Sequence, residues 1–263
     1  MKLTVLTENC AGSGFLAEHG LSYLIEQEGV NILFDAGHTD VFLRNAKTFG
    51  IDIQKEVKTV VLSHGHWDHG DGLQYINNKT LITHPGVFMK RSRQKDDSNI
   101  GLKLSQKEIE KKFTLILSKK PYYITDTIIF LGEIPRQNDF EANETPFSGE
   151  FGKLDFVNDD SAIVVIENNE LIVITGCSHA GICNIIEYAC KVTGIDTVKT
   201  VIGGFHLKHN DLQTQKTINF LKKKHITNIH PSHCTQFPAL VAFSEAFSIE
   251  QVKTGMVFDF KNE

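Results

Sequence analysis

The chain has 263 residues, a formal net charge of -5 and 41% apolar residues, which suits one large α/β domain or two small ones with a real core and is too apolar for a disordered chain. The acidic balance argues against general nucleic-acid affinity, which needs a positive surface. No apolar run approaches the ~20 residues of a membrane span, and the opening "MKLTVLTENC" alternates like a strand without a secretory apolar stretch, so a cytoplasmic protein is expected.

In chain order, "KLTVLTE", "LSYLIEQ" and "NILFDAG" read as strands, with "EQEGVN" turning the second into the third. A helix follows from Thr39, with Val41, Phe42, Ala46 and Phe49 on one face and Gly50 as its stop. "KTVVLS" is a buried strand, "LQYINN" a short helix and "TLITH" another strand. Ser105-Gln106-Lys107-Glu108 matches a capping box and starts a short helix. Strands resume at "YYITDTIIFLGEI", and "SAIVVIENNELIVITG" is a hairpin turning on its two asparagines. Ile182, Ile185, Ile186, Ala189 and Cys190 mark an amphipathic helix. "KTVIGG" is a strand, "LQTQKTINFLKKKHI" a helix with a lysine-rich face, "ITNIHPSH" a strand that Pro231 should end, and "GMVFDF" a last strand. Strands with helices after several of them fit an α/β chain of two sheets covered by helices, one domain over residues 1–263.

Residues 88–120 break this rhythm and read as an insertion or lid, too short for a core of its own. Lys90, Arg91, Arg93, Lys95, Lys103, Lys107, Lys111, Lys112, Lys119 and Lys120 stand there against Asp96, Asp97, Glu108 and Glu110. This is either a solvated face or a local attraction for a small anionic substrate. The five cysteines, Cys10, Cys177, Cys183, Cys190 and Cys234, are odd in number and form no CxxC pair. They read as small buried hydrophobes, not as a disulfide framework.

The stretch "SHGHWDHGDG" follows an apolar strand directly. Side chains of an extended stretch alternate faces, so His64 and His66 point the same way and can grip one ion. Asp68 and His69 fall where Gly70 and Gly72 suggest a turn, and can face a second ion. Imidazole suits zinc and iron, and one carboxylate adds a harder ligand. A histidine-rich loop arising by chance is the bland alternative, and the H-x-H-x-D-H spacing at a strand end argues against it.

"SHGHWDHG" resembles the HxHxDH signature of the metallo-β-lactamase superfamily, and "NILFDAG" resembles its first motif, a strand ending in Asp and Gly. The resemblance implies an αββα sandwich of two mixed sheets flanked by helices, with a dinuclear site at one edge. It makes Asp35 the residue that orients the histidine turn through hydrogen bonds. In "LIVITGCSHAG" it puts Cys177 where an Asp usually bridges the metals, and a thiolate there would bias the site toward zinc. His179 lies two residues on and is exposed by the turn of Ser178 and Gly181. For the last metal histidine, "ITNIHPSHCT" offers His230 and His233, with His233 better placed beyond Pro231. His206 in "TVIGGFHL" is the candidate for a catalytic histidine outside the metal set, of the kind that related phosphodiesterases and ribonuclease Z use. Cys234 reads as packing. The third motif, often Pro-Gly-His, is missing, since no histidine lies between His84 and His179. Asp160 or Glu133 could complete the site, or His179 could fill the place. His19 is a further candidate for supporting a ligand.

"HGLSYLIE", "GEIPR", "DDSAIVV", "TGCSHAGICNIIEYA", "GGFHL" and "PSHCT" together resemble the branch that includes dihydropterin ribofuranosyl-aminobenzene 5'-phosphate synthase. The superfamily's shared chemistry implies two divalent ions, zinc first and iron or manganese as alternatives. These generate hydroxide that attacks a small phosphate ester or phosphodiester, with Asp68 handling its proton. A synthase of the branch type is the alternative enzyme, and a metal- or ligand-binding sensor without turnover is the alternative of another class.

Overall fold

Two adjacent residues with positive φ, Glu28 (49°) and Gly29 (80°), turn strand Ser22–Gln27 into strand Val30–Phe34. Positive φ at both central positions matches the right-handed twist of paired strands, so a two-residue link suffices. Asn168 (53°) and Asn169 (63°) do the same between strands Ala162–Glu167 and Glu170–Thr175. The computed structural model describes residues 1–260. Its contacts divide the chain into two compact units, one of Met1–Ser118, Ser148–Lys153 and the residues from Val252 onward, the other of Lys119–Phe147 and Leu154–Gln251.

The first unit holds a seven-stranded mixed sheet. Strand Val257–Asp259 lies at one edge, antiparallel to Lys2–Thr7, which pairs with Ser22–Gln27. Val30–Phe34, Thr59–Val61, Lys79–Thr83 and Phe113–Leu117 then run parallel. Parallel neighbours need long connections, and helix Val41–Thr48 and the capped turn Ile53–Glu56 lie within the first of them. Phe42, Ala46, Ile53 and Ile109 of the helical segments pack on Leu33, Val60 and Leu81 of the sheet. The capping box at Ser105 forms with Glu108 and starts helix Gln106–Glu110. Thus the far part of the expected insertion, Phe113–Leu117, is a strand of the sheet itself. "LQYINN" forms only a 3-10 turn over Asp71–Tyr75.

The second unit holds a six-stranded mixed sheet in the order Ile229–Ser232, Val198–Gly204, Glu170–Thr175, Ala162–Glu167, Ile128–Phe130, Tyr122–Tyr123. Helix Ile182–Thr193 buries Ile182, Ile185, Ile186 and Ala189, and helices Leu212–Lys223 and Phe237–Ala246 join it through Leu221, Ala239 and Phe243. Strand Ile229–Ser232 passes through Pro231 and does not end there. It is an edge strand, so the missing N–H of the proline costs no ladder bond. Among the described residues no helix is long and apolar enough to cross a membrane.

Candidate metal centre

In the first unit, strands Val30–Phe34 and Thr59–Val61 are parallel neighbours, so Asp35 and Ser63 emerge at the same sheet edge. Asp35 has φ 56°, a left-handed conformation that costs a non-glycine residue roughly 1–3 kcal/mol. Its amide donates to the Val61 carbonyl at 2.8 Å, and its carboxylate is fully buried. That carboxylate accepts from the Ser63 amide, the Ser63 hydroxyl and His69 Nδ1, each at 2.7 Å. Ser63 Oγ lies 2.8 Å from His64 Nδ1.

These contacts settle the tautomers. An ionised carboxylate only accepts, so the single hydroxyl proton of Ser63 points to Asp35. Ser63 Oγ must then accept from His64 Nδ1–H, and His69 Nδ1–H points directly at Asp35. Both rings are left with a bare Nε2, the form that ligates metals. Burial above all, with the crowding of His69 and His66 acting the same way, holds His64 well below the usual imidazole range and so neutral. Arg91 adds to that shift, which places its guanidinium within electrostatic reach of the ring.

His66 follows on the same face, with its Nδ1 2.9 Å from His64 Nε2. Asp68 and His69 lie on the single helical turn Trp67–Gly70, and Asp68 Oδ2 is 3.9 Å from His69 Nε2. His19 Nε2 stands 3.2 Å from the same Asp68 oxygen. The turn is fixed by backbone bonds from Ala36 to His69 O (2.7 Å) and from Leu21 to Asp68 O (3.2 Å). A side chain at Gly65 would put its Cβ 2.0 Å from the Val87 carbonyl oxygen, so the residue between the two histidines has no room for one.

In the second unit, three parallel strands stop side by side at Thr175, Gly204 and Ser232. Cys177 and His206 follow two residues beyond their strand ends, and His233 and Cys234 one and two beyond theirs. Ser178, His206 and His233 all have positive φ (59°, 51° and 51°), so the chain bends sharply at each exit. Ser178 Oγ donates to the Gly204 carbonyl at 2.6 Å and joins two of these turns. Sulfur of Cys177, sulfur of Cys234 and a ring nitrogen of His206 lie within 4.8 Å of one another. Burial acts to raise the Cys234 thiol, but the Cys177 sulfur and the His206 and His233 imidazoles outweigh it and hold the thiol well below its usual range. The His179 and His206 rings lie 4.3 Å apart, their planes tilted by 51°, and both line a cavity of about 440 Å³ together with Phe147, Phe156 and Lys216.

Of the two carboxylates considered for the missing third motif, Glu133 pairs with Lys119 at 3.3 Å and is half-buried. Asp160 is buried, and its Oδ2 accepts from the Ala180 amide at 2.8 Å. Its Oδ1 is buried without a hydrogen-bond partner among the described residues, and burial pushes its pKa up to about 8. His230 stays inside its strand, where burial pushes it down to about 4.

The donor chemistry fits a divalent metal. In the first unit imidazoles with bare nitrogens stand beside a carboxylate, and in the second two thiols stand beside His206, whose Nδ1 is buried with no hydrogen-bond partner among the described residues. Sequence reasoning did not single out Ser63, which links His64 to Asp35, and it read Cys234, whose sulfur lies within 4.8 Å of donors of Cys177 and His206, as packing. Ser63 had a signal in its place between the strand and the first histidine. Arg91 was read only as one charge among many.

A model of the metallo-β-lactamase superfamily matches residues 17–86. An uncharacterised protein of Methanocaldococcus jannaschii is 37% identical, over 92% of this chain and 94% of its own. The 7,8-dihydropterin-6-methyl-4-(β-D-ribofuranosyl)-aminobenzene-5'-phosphate synthase of the same organism is 34% identical over 99% of this chain and 97% of its own. A crystal structure described as a metal-dependent hydrolase of the β-lactamase superfamily superposes with a TM-score of 0.88 at 30% identity, covering 98% of each chain.

Proposed function

Because the chain belongs to the metallo-β-lactamase superfamily, we propose that it is a metal-dependent hydrolase of a small phosphate ester or phosphodiester. In this reading His64, His66, Asp68 and His69 are the ligands that the first unit offers to divalent ions, and Cys177, His179 and His233 those that the second offers, zinc foremost. Ions bound there would bring a water close to ionisation at neutral pH and offset the charge of a leaving oxygen.

The protein's own groups do the rest. Asp35 orients His69 directly and His64 through Ser63, and the bare Nε2 atoms that result are the observation that carries the reading. Asp68 would take the proton of the attacking water, and His19 Nε2, 3.2 Å from its Oδ2, would orient it. Lys90 and Arg91 line a cavity of about 740 Å³ in the first unit, which supports an anionic substrate. Asp160 is the carboxylate that best supports the second donor set.

Zinc-, manganese- and iron-loaded protein assayed on bis-p-nitrophenyl phosphate tests this. Turnover that His66→Ala abolishes is expected, and fully metallated protein inert to phosphate esters would refute it. A second reading, a synthase of the pterin branch, is favoured by the 34% identical relative. Binding of a reduced pterin by protein inert to esters would mark it. Saturable ligand binding with no product from any substrate would mark a sensor.

A further inference from the structure

Cys177 has two close neighbours to which the proposed function gives no ligand role, His206 and Cys234. All three residues belong to the second unit, and each comes two residues after the end of one of its three parallel strands. Their donor atoms lie within 4.8 Å of one another. On a tetrahedral ion with metal–sulfur bonds of ~2.3 Å and metal–nitrogen bonds of ~2.0 Å, such donors stand roughly 3.5–4 Å apart. The cluster therefore needs only a small contraction to close on an ion.

Local packing shows how the second sulfur comes to be there. A Cβ at Gly204 would sit 2.5 Å from Cys234 Sγ and 2.6 Å from the Gly176 carbonyl oxygen, so the bare glycine is what lets Cys234 approach the Cys177 turn. Cys234 Sγ donates to the Cys177 carbonyl at 3.4 Å. The left-handed conformations of His206 and His233 aim this part of the chain by a route that most L-residues avoid. A small hydrophobe packed for its volume alone would need neither a second sulfur beside it nor an imidazole whose buried Nδ1 has no hydrogen-bond partner among the described residues.

We propose that Cys177, His206 and Cys234 form a Cys2His metal site in which Cys234 is a second thiolate ligand and His206 is a ligand and not a free proton carrier. The inference rests on the reading of Cys177 as a metal ligand. Both thiols release their protons to solvent as the ion binds. Two sulfurs and one imidazole are a soft set, which selects zinc or iron(II) over magnesium or manganese.

Cobalt(II) titration of the reduced, full-length protein tests this by the near-ultraviolet sulfur-to-cobalt band. Cys177→Ser and Cys234→Ser should each remove about half of the band, because each removes one of two thiolate ligands. His206→Gln should keep the band and weaken cobalt binding. A Cys234→Ser protein with the full wild-type band overturns the proposal. Should the serine variants fail to fold, iodoacetamide footprinting of the unaltered protein gives the same decision. Zinc that shields both Cys177 and Cys234 supports the site, and zinc that shields Cys177 alone overturns it. Both sulfur signals without ester turnover would sink the hydrolase reading and leave this one standing, and turnover without a Cys234 signal would do the reverse.

Discussion

Asp35 Oδ2 and His69 Nδ1 meet at 2.7 Å, and both side chains are shut off from solvent. The same carboxylate reaches His64 through the Ser63 hydroxyl. One acid therefore sets the tautomers of two proposed ligands that lie five positions apart in the chain. Asp35→Asn puts an amide N–H where an acceptor is needed and should lower metal affinity by ~10–100-fold. Competition with a chromophoric chelator measures it, and an unchanged affinity would remove Asp35 from the role.

Gly65 separates the two histidines that share a face. Since a Cβ there meets the Val87 carbonyl oxygen at 2.0 Å, backbone must move in Gly65→Ala. The expected loss is roughly 1–3 kcal/mol, as for other overpacked sites. Urea midpoints on metal-free protein check it, and a variant as stable as wild type would mean the turn yields more easily than its contacts imply.

His230 gives a pH dependence of known sign. Its folded-state pKa is about 4 against an ordinary 6.5, so the folded protein refuses a proton that the unfolded chain accepts. This group costs nothing above pH 6.5, and stability falls as pH drops from 6.5 toward 4. Between about pH 7 and about pH 5 the loss is roughly 2 kcal/mol. His230→Gln should flatten that decline, which denaturant melts of both proteins across the window would show. Parallel declines in the two proteins would assign the acid sensitivity elsewhere.

Ions held by several strand-end turns should stabilise the fold that binds them. Free metal at a hundred times its dissociation constant contributes about 2.7 kcal/mol. A chelator should lower the melting temperature and added zinc should restore it. A melt that does not move after verified metal removal would contradict a resident ion.

The legible part of this protein was local. The H-x-H-x-D-H turn, the Glu28-Gly29 and Asn168-Asn169 hairpins and the Ser105 capping box each depend on a few consecutive residues, and their side-chain chemistry and backbone preferences act within that span. The family resemblance rested on such short strings and extends over almost the whole of two relatives.

Other features depend on which strands become neighbours, and no periodicity in the chain records that. Pro231 stays inside its strand because the strand lies at a sheet edge, and Phe113–Leu117 is framework because it finds Lys79–Thr83. Sequence could name imidazoles, thiols and carboxylates as donors, since that chemistry belongs to each side chain alone. Only the tertiary structure decided that Ser63 relays Asp35 to His64, and that Cys234 lies against Cys177 57 residues away, because parallel strands align residues by register and not by distance along the chain.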